Sequence, residues 1–134
     1  MKGRKETVKA TAGALKRTPP PPKDLSPLAK RVWRSELPPL VAAEKIAPHE
    51  LPLFKSYCSA TARIDEAQAL IDLHGLLISS PTGELKRNPA TTIQKEAIAL
   101  QARLAAEFGI TPASRGKNEG FSTDEDAPPG MGGR

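Results

Sequence analysis

The chain has little from which to build a large hydrophobic core. Of its 134 residues only 4 % are aromatic, made up of one Trp, one Tyr and three Phe. That length accommodates one modest domain, and a chain so poor in large apolar side chains often gains burial by self-association. Cys58 is the only cysteine, so no intramolecular disulfide forms, which suits a reducing compartment. Metal and phosphate chemistry are missing as well. His49-Glu50 opens like a zinc-protease helix, but Leu53 stands where the second His belongs. Between Gly109 and Gly116-Lys117 lie six residues where a phosphate loop has four, and Asn118 replaces the Ser or Thr that would hold magnesium. His74 lies on an apolar seam next to a helix cap, and Asp65, Glu66 and Asp72 fall on a polar helix face. No apolar h-region follows the charged N-terminus, and no apolar run approaches the roughly 20 residues that span a bilayer. These absences predict a soluble intracellular protein that is not an enzyme, needs no cofactor or metal, and has no membrane partner.

What is abundant is proline (14 residues), glycine (10) and positive charge, +5 net with a pI near 9.6. The charge is unevenly spread. Residues 1–24 carry Lys2, Arg4, Lys5, Lys9, Lys16, Arg17 and Lys23 against Glu6 and Asp24, a net of +5, and include Pro19-Pro20-Pro21-Pro22. Such a segment lacks the apolar residues to offset its ordering entropy, so it reads as a disordered basic arm with a stiff proline spacer. Residues 25–115 are nearly balanced and hold all the apolar periodicity, which marks them as the helical core and oligomerisation domain. Residues 116–134 are Gly- and Pro-rich with a net of −2 and read as a disordered acidic tail, suited either to docking a partner or to solubility.

Within the core, Ser26-Pro27 is a strong helix start, and Pro38-Pro39 should break or kink that helix before about Ala43. A second helix is predicted from Pro48 to His74, closed by Gly75 in the left-handed region. Its residues Leu53, Tyr57, Ala60, Ile64, Ala67, Ile71 and His74 repeat at 4-3 spacing, a coiled-coil seam that suits a partner helix of the same chain, of another copy, or both. Leu76–Ser79 and Glu84–Arg87 flank the turn formers Ser80-Pro81-Thr82-Gly83 and predict a small β-hairpin. Asn88-Pro89 then opens a last helix, with Ile93, Ala97, Leu100 and Leu104 on its apolar face and Gly109 at its end. The expected fold is mainly α: two long antiparallel helices joined by a short β-hairpin and preceded by a short kinked helix.

A basic arm of this kind contacts phosphates through counterion release, without reading sequence. A second cationic cluster is Lys30, Arg31 and Arg34 beside Trp33, which suits either a phosphate surface or a solvated face. Lys86-Arg87 in the hairpin is a third. The candidate DNA-binding residues are therefore Lys2, Arg4, Lys5, Lys9, Lys16, Arg17, Lys23, Lys30, Arg31 and Arg34. The candidate oligomerisation and core residues are Leu53, Tyr57, Ala60, Ile64, Ala67, Ile71, Ile93, Leu100 and Leu104. A DNA-binding transcriptional regulator is the competing class. It needs a recognition helix with base-reading residues near its N-terminus, where the last helix offers only Gln94 and Lys95.

Several features in order resemble phage terminase small subunits. They are Lys2-Gly3-Arg4-Lys5, a Pro-rich linker, Trp33, Tyr57-Cys58, His74-Gly75-Leu76, Asn88-Pro89, and Gly109-Ile110-Thr111-Pro112-Ala113-Ser114-Arg115. The resemblance covers about residues 2–115. It implies a homo-oligomeric ring in the host cell cytoplasm that binds double-stranded viral DNA and brings it to a large subunit, which supplies the ATPase and nuclease. The chain departs from the family's usual pattern at Glu50, where Asp is common, and at Thr61, where an aromatic is common.

Overall fold

A computed structural model describes residues 11–110. Helix α1 spans Pro27–Ala42, a 3₁₀ turn Pro48–Glu50 leads into α2 (Leu51–His74), strands β1 (Leu77–Ser79) and β2 (Leu85–Arg87) form a hairpin, and α3 spans Pro89–Glu107. The fold is mainly helical, with the antiparallel β-hairpin between the two long helices.

Each boundary has a local cause. The Ser26 hydroxyl accepts the Ala29 N–H at 3.2 Å, and Pro27 occupies the first helical position, where a missing N–H costs nothing. Ahead of α2 the Glu50 carboxylate accepts the Ala47 N–H at 2.9 Å. Asn88 caps α3 by accepting the Ala90 N–H at 3.0 Å. Gly109, at φ 70°, closes α3: its N–H bonds the Ala106 carbonyl while the Ile110 N–H reaches Ala105. That is a Schellman closure with glycine in its usual place.

Three sequence expectations change. Pro38 and Pro39 do not break α1, which continues through both as one helix. The carbonyls they leave without a helical donor belong to Arg34 and Ser35; these two residues and both prolines are exposed, on the solvent side of the helix. What ends α1 is Glu44 at φ 56°, whose N–H bonds Val41 while the Lys45 N–H bonds Leu40. This is a second Schellman closure, with a glutamate in the position that normally requires glycine. Gly75 has the positive φ expected of it, 89°, but its ψ is 172°, so it turns the chain into an extended strand rather than closing an αL cap.

The third change concerns the arm. Residues 1–10 lie outside the described residues, but 11–24, read from the sequence as disordered, follow a fixed path. The Thr11 N–H bonds the Glu44 carbonyl and the Leu15 N–H bonds that of Ile46, both at 2.8 Å. The Trp33 indole Nε1–H donates to the Pro19 carbonyl at 2.9 Å, and Asp24 pairs with Lys55 at 2.6 Å. Prolines lose little entropy on ordering, so a few such contacts suffice to strap the segment down. The acidic tail lies outside the described residues.

The core sits where α1, the start of α2 and the end of α3 meet. Phe54, fully buried, has Trp33, Tyr57 and Phe108 around it at ring-centroid distances of 5.4, 5.6 and 5.6 Å. Four of the five aromatics thus form one cluster, and the scarcity is met by concentration. Toward the hairpin the α2–α3 contact thins to Ala67, Ile71 and Ala90.

Candidate nucleic-acid interface

Helix α1 buries Ala29, Trp33, Leu37, Leu40 and Val41 on one side. At 100° per residue Arg31 falls on the opposite side and Arg34 at its border, and both are exposed; Lys30, on the buried side, is half-buried. Arg31 and Arg34, three positions apart, are neighbours on the helix surface. The exposed Lys16, Arg17 and Lys23 belong to the strapped segment. Lys16 lies 3.8 Å from Glu44, a pair exposed enough to leave the lysine available to an anion. Lys2, Arg4, Lys5 and Lys9 lie outside the described residues. They precede Thr11, whose backbone N–H bonds the Glu44 carbonyl. The arm therefore divides into the described residues 11–24, which carry Lys16, Arg17 and Lys23 on a strapped backbone, and residues 1–10, which are not described.

The seam residues sort differently. Tyr57, Ala60, Ala67 and Ile71 on α2 and Leu104 on α3 are buried, and Ile64 and Leu100 are half-buried. All of this burial occurs within one chain, against α3 and α1. Leu53 and Ile93 remain 46 % and 44 % exposed, and His74 is exposed. The 4-3 spacing is thus largely spent on the internal helix pair. Gln94 and Gln101 bridge the same pair by bonding Gln68 at 2.7 Å and Thr61 at 3.1 Å, so neither serves as a free base-reading group.

Three cations not singled out from the sequence, Lys55, Arg63 and Lys95, line hollows of the structure. Lys55 and Arg63 border a cleft of about 660 Å³ between α2 and α3, together with Ser59, Ile93, Glu96 and Leu100. Arg87 and Lys95 border a smaller hollow beneath the hairpin. Lys86 and Arg87 are exposed on β2.

The titrating groups carry structural information. The Lys55 ammonium bonded to Asp24 holds that carboxyl below its ordinary value. Burial, then the nearby Glu36 charge, pushes the Cys58 thiol up to about 12. The Tyr57 phenol, which donates to Glu36 at 2.6 Å, is raised as well, first by burial and then by that bond. A fully buried thiol with a raised pKa is inert filler, not a nucleophile. Among the described residues no three His, Cys, Asp or Glu side chains gather as a metal site. Nor is any described helix long and apolar enough to cross a membrane.

The sequence profile of the family described as phage terminase, small subunit, matches residues 29–125. The chain belongs to that family. No curated protein and no solved structure matches it. The matched stretch begins at Ala29 in α1 and takes in Lys30, Arg31 and Arg34, whereas the strapped segment and residues 1–10 precede it. For this terminase small subunit, the cations of α1 lie inside the family's pattern and those of the arm lie outside it.

Proposed function

We propose that this terminase small subunit is the non-catalytic DNA-binding component of a viral packaging machine. It assembles with itself into a ring, holds double-stranded viral DNA, and delivers that DNA to the large subunit in the host cytoplasm. The observation that carries the reading is the family match combined with the distribution of charge. Residues 1–24 hold seven cations against two acids, and Arg31 and Arg34 form an outward cationic face on α1. In a ring, each copy would add its arm and its α1 face to one duplex, and phosphate contacts would sum over copies. ATP hydrolysis and DNA cleavage fall to the large subunit in this reading.

The test is direct. Full-length protein is titrated onto a duplex at several salt concentrations, and its mass is measured by light scattering. The expected result is a higher-order closed oligomer whose DNA affinity falls steeply with salt, by about 0.9 in log K per phosphate neutralised for each unit of log salt. Absence of duplex binding at low salt would overturn the DNA-holding role, and a monomer at micromolar concentration would overturn the ring.

A further inference from the structure

The end of the molecule farthest from the aromatic core is unusual. Leu70, Leu73, Leu76, Leu77 and Leu85 are all exposed there, Leu73 at 73 %, Leu76 at 65 % and Leu85 at 64 %. Together they expose the equivalent of about three whole leucines, comparable to the roughly 300–600 Å² of the largest patch on a typical monomer but gathered on one hairpin and one helix end. The strands beneath are equally unsupported. Each is three residues long, all but the half-buried Ile78 are exposed, and the strands pack mainly on each other. A two-stranded hairpin alone is marginal in water.

The ladder shows which backbone groups are left over. The pairs are Leu77 with Arg87, Ile78 with Lys86 and Ser79 with Leu85. The Asn88 N–H bonds Leu76 and the Ser80 N–H bonds Glu84, so the hydrogen-bonded positions are the even-numbered ones on both strands. By the alternation of an antiparallel ladder, Leu77 and Ser79 turn their N–H and C=O groups outward along the β1 edge. Leu85 and Arg87 do the same along the β2 edge.

We propose that this hairpin is the surface through which copies of the chain join, the β1 edge of one copy pairing with the β2 edge of the next while the leucines pack between them. The inference rests on the self-assembly in the function proposed above and gives it a location. A patch of this size supplies the apolar centre of an interface that needs about 800 Å² per partner, and edge pairing and flanking polar residues supply the rest. The leucines themselves offer a phosphate nothing to bind, whereas a second copy of the same apolar surface does fit them. The local charge is mixed, Asp72 and Glu84 against Lys86, Arg87 and Lys95, so identical hairpins meet without the repulsion of a single-sign surface. The two edges differ, so the contact is head-to-tail. Repeated by rotation, it closes a ring instead of stopping at a dimer.

Two variants separate the components. Leu73→Glu with Leu85→Glu places charges in the apolar patch at exposed positions. Ser79→Pro removes one outward N–H and leaves the leucines and the internal ladder intact. Each is expected to drop the light-scattering mass from oligomer to monomer at micromolar concentration, with the helical circular dichroism of a control retained and a melting temperature lower only by the loss of association. The control is Ile98→Glu, an exposed apolar residue on α3 remote from the hairpin, which is expected to keep the full mass. If the wild type is oligomeric and both variants keep that mass, the hairpin assignment is overturned while the ring stands. The hairpin assignment also falls if Ile98→Glu alone dissociates the oligomer, or if the variants stay oligomeric and lose only large-subunit binding. A monomeric wild type overturns the ring and the hairpin contact together.

Discussion

The indole of Trp33 and the carbonyl of Pro19 are joined by a hydrogen bond of 2.9 Å across fourteen residues of sequence. The bond fastens the proline run to the face of α1 that also packs on Phe54. Trp33→Phe keeps a ring in the core and removes the donor, leaving a part-buried carbonyl without it. The expected cost is about 1 kcal/mol. The more telling readout is local: protease cleavage within residues 11–22 should accelerate while α2 and α3 stay protected. Unchanged cleavage there would show that the other contacts alone hold the strap.

Glu44 occupies a left-handed position that costs a residue with a Cβ roughly 1 kcal/mol. Glu44→Gly relieves that cost and forfeits an exposed ion pair with Lys16 worth little. The substitution should therefore stabilise the protein by about 0.5–1 kcal/mol, a rise of a few degrees in melting temperature for a domain of this size. A fall in melting temperature would mean the carboxylate contributes more than its distance from Lys16 suggests.

How far the sequence discloses this structure depends on whether a signal is local. Ser26-Pro27, Asn88-Pro89 and Gly109 act within a few residues of themselves, and each helix end they imply is where the structure has it. The hairpin register follows from Ser80-Pro81-Thr82-Gly83 in the same way. Glu44 was illegible because nothing in a glutamate advertises a positive φ. The strap was illegible because its partners, Glu44, Ile46, Trp33 and Lys55, are distant in sequence. The 4-3 seam was legible as a seam, but periodicity does not say whose helix fills it. In this chain the seam residues Tyr57, Ala60, Ala67 and Ile71 are buried within the one chain, while Leu53 and Ile93 stay partly in solvent.

Asn88 ties the two ends of the hairpin together. Its amide donates to the Gly75 carbonyl at 2.9 Å, its side-chain oxygen accepts from Ala90, and it is only 6 % exposed. Asn88→Ala removes a helix cap and strands the buried Ala90 N–H and the part-buried Gly75 carbonyl. A loss of about 1–2 kcal/mol is expected in urea unfolding. Asn88→Asp retains the acceptor and loses the donor, so it should recover part of the loss. Equal destabilisation by both would place the whole effect on the bond to Gly75.

Alkaline pH should destabilise the fold through Cys58. Its thiol, ordinarily near 9.0, is pushed up to about 12 by burial, so the folded state holds its proton where the unfolded chain releases it. The corresponding stability is complete below about pH 9 and is lost as pH rises toward 12; Tyr57, also raised, adds to the loss higher in the same range. Urea midpoints measured from pH 8 to 11 should fall, and Cys58→Ala, although less stable throughout, should show a shallower decline. Parallel declines would assign the effect to groups other than the thiol.

The division of the arm leads to the sharpest prediction about DNA. Thr11 is bonded to Glu44, and residues 2–9 lie ahead of it in sequence; eight residues span at most about 30 Å when fully extended. They hold Lys2, Arg4, Lys5 and Lys9, and deleting them leaves every described contact in place. The deletion should keep the oligomeric mass and melting temperature while reducing the steepness of the salt dependence, by up to about 0.9 for each cation that met a phosphate. The loss should be alike for duplexes of any sequence, since phosphates carry no base information. Arg31→Ala with Arg34→Ala tests the other cationic face, which lies inside the family's matched region. If α1 reads shape or base edges, this double variant should lower affinity unequally among duplexes, and the deletion should not. If the deletion leaves both affinity and slope untouched, the DNA-holding surface lies on the folded part of the chain, with Arg31 and Arg34 at its centre.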